Sequence, residues 1–167
     1  GALNLMTAGR GIVHSERTPM PERATGSPIS GMQTWLALPD GKEEIDPAFE
    51  HVAKEDLPLV ETDNVSARVI MGSLWGETAR TTQHSETIYA DILMNAGATI
   101  PIDAEADERA ILVALGSASL DGEALEPHSL YILQPGQAMT LRADSDCRVM
   151  LLGGEAFATP RHVWWNF

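Results

Sequence analysis

Cysteine is almost absent from this sequence. Cys147 is the only one, so no intrachain disulfide and no cysteine-rich zinc module can form, and the chain suits a reducing compartment. Basic residues are scarce: 11 Lys and Arg stand against 24 Asp and Glu, a formal net charge of −13. A surface this acidic repels phosphate backbones, which argues against direct nucleic-acid binding. No apolar run approaches the roughly 20 residues of a membrane helix, and the first residues carry no signal-peptide pattern. A soluble, cytoplasmic protein with no membrane partner is expected. Long helical periodicity is missing, which excludes a doubly wound α/β fold. Gly9-Arg10-Gly11 lacks the third glycine and the βαβ setting of a dinucleotide site. There is no phosphate-binding loop and no Gly-x-Ser-x-Gly elbow, and Cys147 lies in an apolar stretch that reads as packing rather than a nucleophile.

What is present is a series of short strands with turn punctuation. The chain has 167 residues, 44% of them hydrophobic, enough for one medium domain or two small ones. Strands are expected over residues 31–38, 65–71, 87–94, 110–115, 129–133, 138–142 and 147–152. In residues 87–94, Ile88, Ala90, Ile92 and Met94 fall on one face and Thr87, Tyr89 and Asp91 on the other. Asp121-Gly122 between Ser119 and Ala124 is the signature of a type I′ hairpin. Gln134-Pro135-Gly136-Gln137 is a turn, and so is the stretch holding Asp144 and Asp146. About eight strands with almost no helix predict an antiparallel sandwich or barrel. Trp35, Trp75, Trp164 and Trp165 read as core.

The charge is uneven. Residues 40–63 carry nine acidic and two basic side chains, whereas residues 1–39 carry two and three. The acidic block reads as a solvated linker between two units. Within it, Asp46-Pro47 resembles an N-cap with proline at the first helical position, and Phe49, Val52 and Ala53 follow at helical spacing, so one or two helical turns are expected before Pro58.

Five histidines are the main candidates for chemistry. If residues 12–16 form a strand, His14 and Glu16 share a face. An imidazole beside a carboxylate is half of a site for iron, manganese, nickel or zinc, and it is equally an ion pair on a surface strand, which spacing alone favours. His84-Ser85-Glu86 repeats the tripeptide where a strand enters from solvent. It reads as surface, as do His51 on the expected helical turn, His128 and His162.

Met6-Thr-Ala-Gly-Arg-Gly-Ile-Val-His-Ser-Glu16 strongly resembles the pirin family of bicupins. The resemblance continues through residues 31–39, Tyr89-Ala90-Asp91, Glu108-Arg109-Ala110, residues 151–155 and the closing residues 161–167. It implies an all-β fold of cupin-type antiparallel barrels (double-stranded β-helix). It also implies an N-terminal barrel that binds one iron-type metal through three histidines and a glutamate. His14 and Glu16 match the third histidine and the glutamate; the remaining His-x-His pair belongs upstream of this chain. Gly9-x-Gly11-x-x-His14 echoes the second cupin motif. The C-terminal barrel of the family usually holds no metal. Family activities include oxygenolytic opening of the flavonol quercetin, and other members act as co-regulators or bind enzymes.

With Gly1 at one end and apolar residues 163–167 at the other, the chain is expected to be a piece of a longer protein. Residues 1–42 would be the end of an N-terminal cupin, residues 43–64 the acidic linker with its short helix, and residues 65–167 the C-terminal cupin. The function expected of the intact parent is that of a quercetin 2,3-dioxygenase, with His14 and Glu16 as metal ligands and Glu16 also as proton acceptor for a flavonol-like aromatic substrate. The alternative is a non-enzymatic, metal- or redox-sensing cupin that binds a protein partner. The cofactor is expected to be iron, with manganese, nickel, zinc or copper as substitutes, held weakly or not at all by this chain. An open apolar face around Leu3, Leu5, Met6, Ile12 and Trp35 is expected to drive self-association.

Overall fold

The computed structural model describes residues 1–18, 20–26, 28 and 30–162. Trp164 and Trp165, assigned above to the core, lie outside them. The described elements are β1 (Leu3–Thr7), α1 (Met20–Thr25), β2 (Ala48–Val52), a 3-10 turn (Lys54–Asp56), β3 (Leu59–Glu61), β4 (Val65–Met71), β5 (Ser73–Leu74), β6 (Glu77–Thr78), β7 (Thr87–Met94), β8 (Thr99–Ile102), β9 (Glu108–Leu115), β10 (Ala118–Leu120), β11 (Glu123–Leu125), β12 (Leu130–Ile132), β13 (Met139–Ala143) and β14 (Cys147–Gly154).

Two antiparallel sheets face each other. One has six strands in the order β12-β9-β14-β7-β4-β3 and the other four in the order β11-β10-β13-β8. The strand period of two decides what lies between them. Across the large sheet, Ala67, Ile92, Val149 and Val113 stand in one register row and none is exposed. Opposite, Ile100, Ile102, Leu120, Leu141 and Ala143 complete the same cluster. The expected faces of β7 are the observed ones: Ile88, Ala90, Ile92 and Met94 enter this core, while Tyr89 joins a second cluster on the outer face with Met71 and Met150. The Asp121-Gly122 hairpin forms with both residues at positive φ, 48° and 90°, as a type I′ turn requires.

Four expectations are corrected. Residues 46–53 are not helical: β2 pairs over five residues with β1, from Leu3 opposite Val52 to Thr7 opposite Ala48, and the helical turn comes only at Lys54–Asp56. Ladder pairing with a distant strand outweighs the local proline signal. His51 therefore sits on a strand, exposed, with Nδ1 2.7 Å from Asn4 Oδ1 across the ribbon. Residues 31–38 are irregular rather than a strand, and the strand on which a shared face for His14 and Glu16 is conditional does not form over residues 12–16. Strand propensity makes a segment extended, but a strand needs a ladder, and no ladder pairs either segment among the described residues. Trp35 consequently leaves the expected core and is 67% exposed.

The β1–β2 ribbon lies on the outer face of the large sheet, where Leu5 packs against the Met71, Tyr89 and Met150 cluster. The Thr34 hydroxyl donates to the Tyr89 hydroxyl at 2.9 Å, and Arg161 Nε donates to the Leu38 carbonyl at 2.9 Å. These contacts anchor residues 31–38. Of the apolar face expected to stay open, Leu5 is thus partly covered, whereas Met6, Ile12 and Trp35 remain exposed.

Candidate functional site

The segment carrying His14 and Glu16 is launched by two glycines. Gly9 has φ 50° and Gly11 has φ 128°, conformations that a side chain resists. A Cβ on Gly9 would collide with the Ile45 carbonyl oxygen. Arg10 donates its backbone N–H to that same carbonyl at 3.0 Å, Gly11 N–H closes a turn on Ala8 O at 3.0 Å, and the Arg10 guanidinium pairs with Asp46. The chain is thereby clamped to the residues that lead into β2.

His14 and Glu16 both lie exposed in this irregular stretch. Without a strand the alternation argument does not apply, and no ion pair joins the two among the described residues. Neither makes a hydrogen bond to another described side chain. No group of three or more His, Cys, Asp or Glu side chains among the described residues could hold a metal ion. Two exposed donors do not make a closed coordination sphere, which needs four or more ligands in fixed geometry. The residues of this chain, taken alone, do not fit a metal centre.

Among the described residues the two facing sheets offer no substitute. Their main core cluster is aliphatic apart from Met94 and Cys147 and contains no imidazole or carboxylate. His84 is half-buried at the rim of an open pocket of about 290 Å³ that it shares with Phe49, Glu50 and Leu5, and its carbonyl accepts from Lys42 Nζ at 3.3 Å. The neighbouring Gln83 caps the start of β7, its Oε1 accepting the Thr87 N–H at 3.2 Å. His128 is exposed in a turn at φ 63°, and His162 is exposed. These positions match a reading of surface and strand-end histidines.

Three features had no local signal. The first is the outer-face polar group on β7 and β14, where Arg148 holds Asp91 in a two-pronged pair at 2.7 and 2.6 Å beside the Thr34–Tyr89 contact. Burial pushes the Tyr89 phenol above its usual range, so it stays neutral. The second is Arg109, 2% exposed and without a carboxylate partner among the described residues. Its Nη1 donates to Asp103 O at 2.6 Å and its Nη2 to Gln134 O at 2.6 Å and Gln137 O at 2.9 Å. The third is an open pocket of about 380 Å³ bordered by Trp75, Gln83, Glu86, Asp103 and Glu105. Each joins residues far apart in the chain, so only pairing across the sheets reveals them.

Cys147 is 6% exposed, and burial, followed by the charges of Asp144 and Asp146, pushes its thiol up. The reactive thiolate is therefore disfavoured. Labelling by a thiol reagent at neutral pH is expected to proceed at the rate of global unfolding; labelling within seconds in the native protein would contradict this packing.

Comparison with known proteins places these features in context. Residues 89–167 match the family model described as the pirin C-terminal cupin domain, and residues 1–36 match the one described as pirin. A pirin-like protein of Caulobacter vibrioides is 39% identical over 166 residues, 99% of this chain and 57% of that protein. A Pseudomonas aeruginosa protein named provisionally as a quercetin 2,3-dioxygenase is 33% identical over 169 residues, covering all of this chain and 52% of that protein. A crystal structure of quercetin 2,3-dioxygenase from Acinetobacter baumannii superposes with a TM-score of 0.81 at 32% identity, over 99% of this chain and 54% of that one. The chain thus spans about half the length of the curated relatives it matches.

Proposed function

Because this chain belongs to the pirin family of cupins, we propose that it is part of a metal-dependent oxygenase acting on a flavonol-like aromatic substrate. The observation that carries this reading is the likeness, along essentially the whole chain, to the Acinetobacter baumannii quercetin 2,3-dioxygenase structure. His14 and Glu16 would be this chain's share of the metal centre, the other ligands coming from residues outside it. Their exposure on the irregular segment that follows the Gly9–Gly11 turn supports that role, because neither side chain bonds to another described side chain.

The metal, when bound, would polarise the flavonol oxygen and activate dioxygen. What this chain's own residues would supply is an imidazole donor from His14 and a carboxylate from Glu16. The carboxylate can also take the hydroxyl proton as the substrate docks. The apolar, filled C-terminal barrel serves as a scaffold rather than a second centre.

The test compares the 167-residue chain with a polypeptide of the full family length that contains it. Both are dialysed against iron(II), analysed for retained metal, and mixed with quercetin under air. Near-stoichiometric iron and loss of flavonol absorbance are expected only in the longer protein. Iron without turnover would favour the partner-binding cupin, for which exposed Met32, Trp35 and Leu36 offer an apolar docking surface. No retained iron in the longer protein would sink the metal reading altogether.

A further inference from the structure

The last described residues are tied to the first part of the chain. Beyond β14, Glu155 N–H donates to Glu86 O at 2.9 Å and Ala156 N–H to Asp107 Oδ2 at 3.2 Å. Arg161 then reaches residues 38–40, and all three of its guanidinium nitrogens are engaged. Nε donates to Leu38 O at 2.9 Å, Nη2 to Asp40 Oδ1 at 2.7 Å, and Nη1 to Thr159 O and Oγ1 at 3.1 and 2.6 Å. The Thr159 hydroxyl donates to the same Asp40 oxygen at 2.6 Å. The guanidinium lies over the Phe157 ring, 4.7 Å from its centre. Hydrogen bonds from Thr159 and then Arg161 hold the Asp40 carboxyl below its ordinary range. A planar fork meets this set of acceptors, whereas a single ammonium does not.

The residues that Arg161 grips begin a turn. Lys42 N–H closes it on Pro39 O at 3.0 Å, with Gly41 at φ 76° in the position where such a turn takes glycine. Ile45 N–H follows on Lys42 O at 3.4 Å, and Ile45 O receives Arg10 N–H at 3.0 Å. The β1–β2 ladder ends at Thr7 opposite Ala48, so it holds neither Arg10 nor Ile45. Lys42 Nζ adds a tie to His84 O at 3.3 Å. The Arg10–Asp46 ion pair is exposed on both sides, and such pairs contribute little. The Arg10–Ile45 contact therefore stands at the end of a continuous series of contacts that starts at Arg161.

We propose that Arg161 is a positioning residue for the segment that carries His14 and Glu16. By docking the C-terminal tail on Leu38 and Asp40 it fixes the 39–45 turn, and that turn fixes the Gly9–Gly11 turn from which the segment departs. The inference stands on this chain's own hydrogen bonds; its bearing on activity rests on the reading of His14 and Glu16 as ligands. Retained iron tests that reading and amide exchange tests this one, so the two fail separately.

The experiment follows backbone hydrogen exchange by NMR in the full 167-residue chain, with and without Arg161→Ala. In the variant, exchange of the Arg10 amide is expected to speed up at least about tenfold, as local opening becomes easier. Two controls should stay unchanged: the β1–β2 ladder amides, and the Leu133 amide, which donates to Arg109 O in the barrel. An unchanged Arg10 rate in folded Arg161→Ala would overturn the proposal, leaving Arg161 a fastener of its own tail. Equal acceleration at Arg10, the ladder and Leu133 would overturn it as well, because that is a loss of overall stability. Should Arg161→Ala not fold, Thr159→Ala removes two contacts of the clasp at an exposed position. It is then expected to speed Arg10 exchange about threefold with the same controls unmoved, and no change there would overturn the proposal.

Discussion

Arg109→Ala is expected to destabilise the protein by about 3–5 kcal/mol, the cost of disrupting a buried charged network, and to lower Tm by roughly 10 °C for a chain of this length. The guanidinium is buried and satisfies three carbonyls, those of Asp103, Gln134 and Gln137. It thereby ties the β8–β9 loop to the turn after β12. Removal leaves three carbonyl acceptors without their donor and opens a void where the buried side chain was. No carboxylate among the described residues pairs with the charge; carbonyl dipoles face it instead, and a planar fork with five donors can reach them together. Its Nε has no hydrogen-bond partner, so the site is already one bond short. Arg109→Lys is expected to recover less than half of the loss, because an ammonium cannot span the same acceptors. Arg109→Met separates volume from hydrogen bonding. Urea melts of the three variants are the measurement, and a loss under about 1 kcal/mol in Arg109→Ala would show that the loops hold themselves.

The other large effect is expected in function rather than stability. In the full-length protein, His14→Ala and Glu16→Gln should each reduce bound iron and flavonol turnover by at least about a hundredfold, since losing a ligand or its charge removes the metal-dependent chemistry. Tm should move by no more than about 2 °C, because exposed positions without contacts are within about 0.5 kcal/mol of neutral. Both side chains are exposed and bond to no described neighbour, which makes this contrast sharp. Glu16→Gln preserves size and hydrogen-bonding capacity and removes only charge. Full iron content and turnover in that variant, confirmed by elemental analysis and absorbance, would remove Glu16 from the site. A large fall in Tm with either variant would mean that the pair is structural.

The reach of the sequence differs between the two halves of the chain. From residue 65 onward, alternation and turn chemistry placed β4, β7, β9, β10, β11, β13 and β14 within a residue or two. There each strand is flanked by its ladder partners, and local pattern and tertiary pairing agree. The Asp121-Gly122 hairpin was legible because its turn type demands those residues. β8 was not, since Pro101 and the short run of Thr99–Ile102 carry little strand signal; pairing with β13 makes it a strand. In the first 64 residues local pattern and tertiary structure part company. The helical spacing around Phe49 yields to a ladder with β1, and the strand-like residues 31–38 find no ladder at all.

The candidate site divides along the same line. The sequence by itself nominated the candidate residues: the run from Met6 to Glu16 carries the family resemblance, and His14 and Glu16 are proposed from it residue by residue. Composition set the acidic charge and the single thiol, and the pattern of short strands and turns set the all-β class. Only the tertiary structure decided that these two side chains stand exposed, launched by a glycine turn docked on Ile45. Only it decided that the C-terminal barrel is filled with aliphatic side chains, that Arg109 clasps two distant loops, and that Trp75 reaches Pro101 across the barrel mouth. The physical reason is range. Turns, alternation and motifs act over a few residues and are written in local sequence. Burial, ladder pairing and the meeting of donors with acceptors depend on segments tens of residues apart, and those distances are set only when the sheets close on their common core.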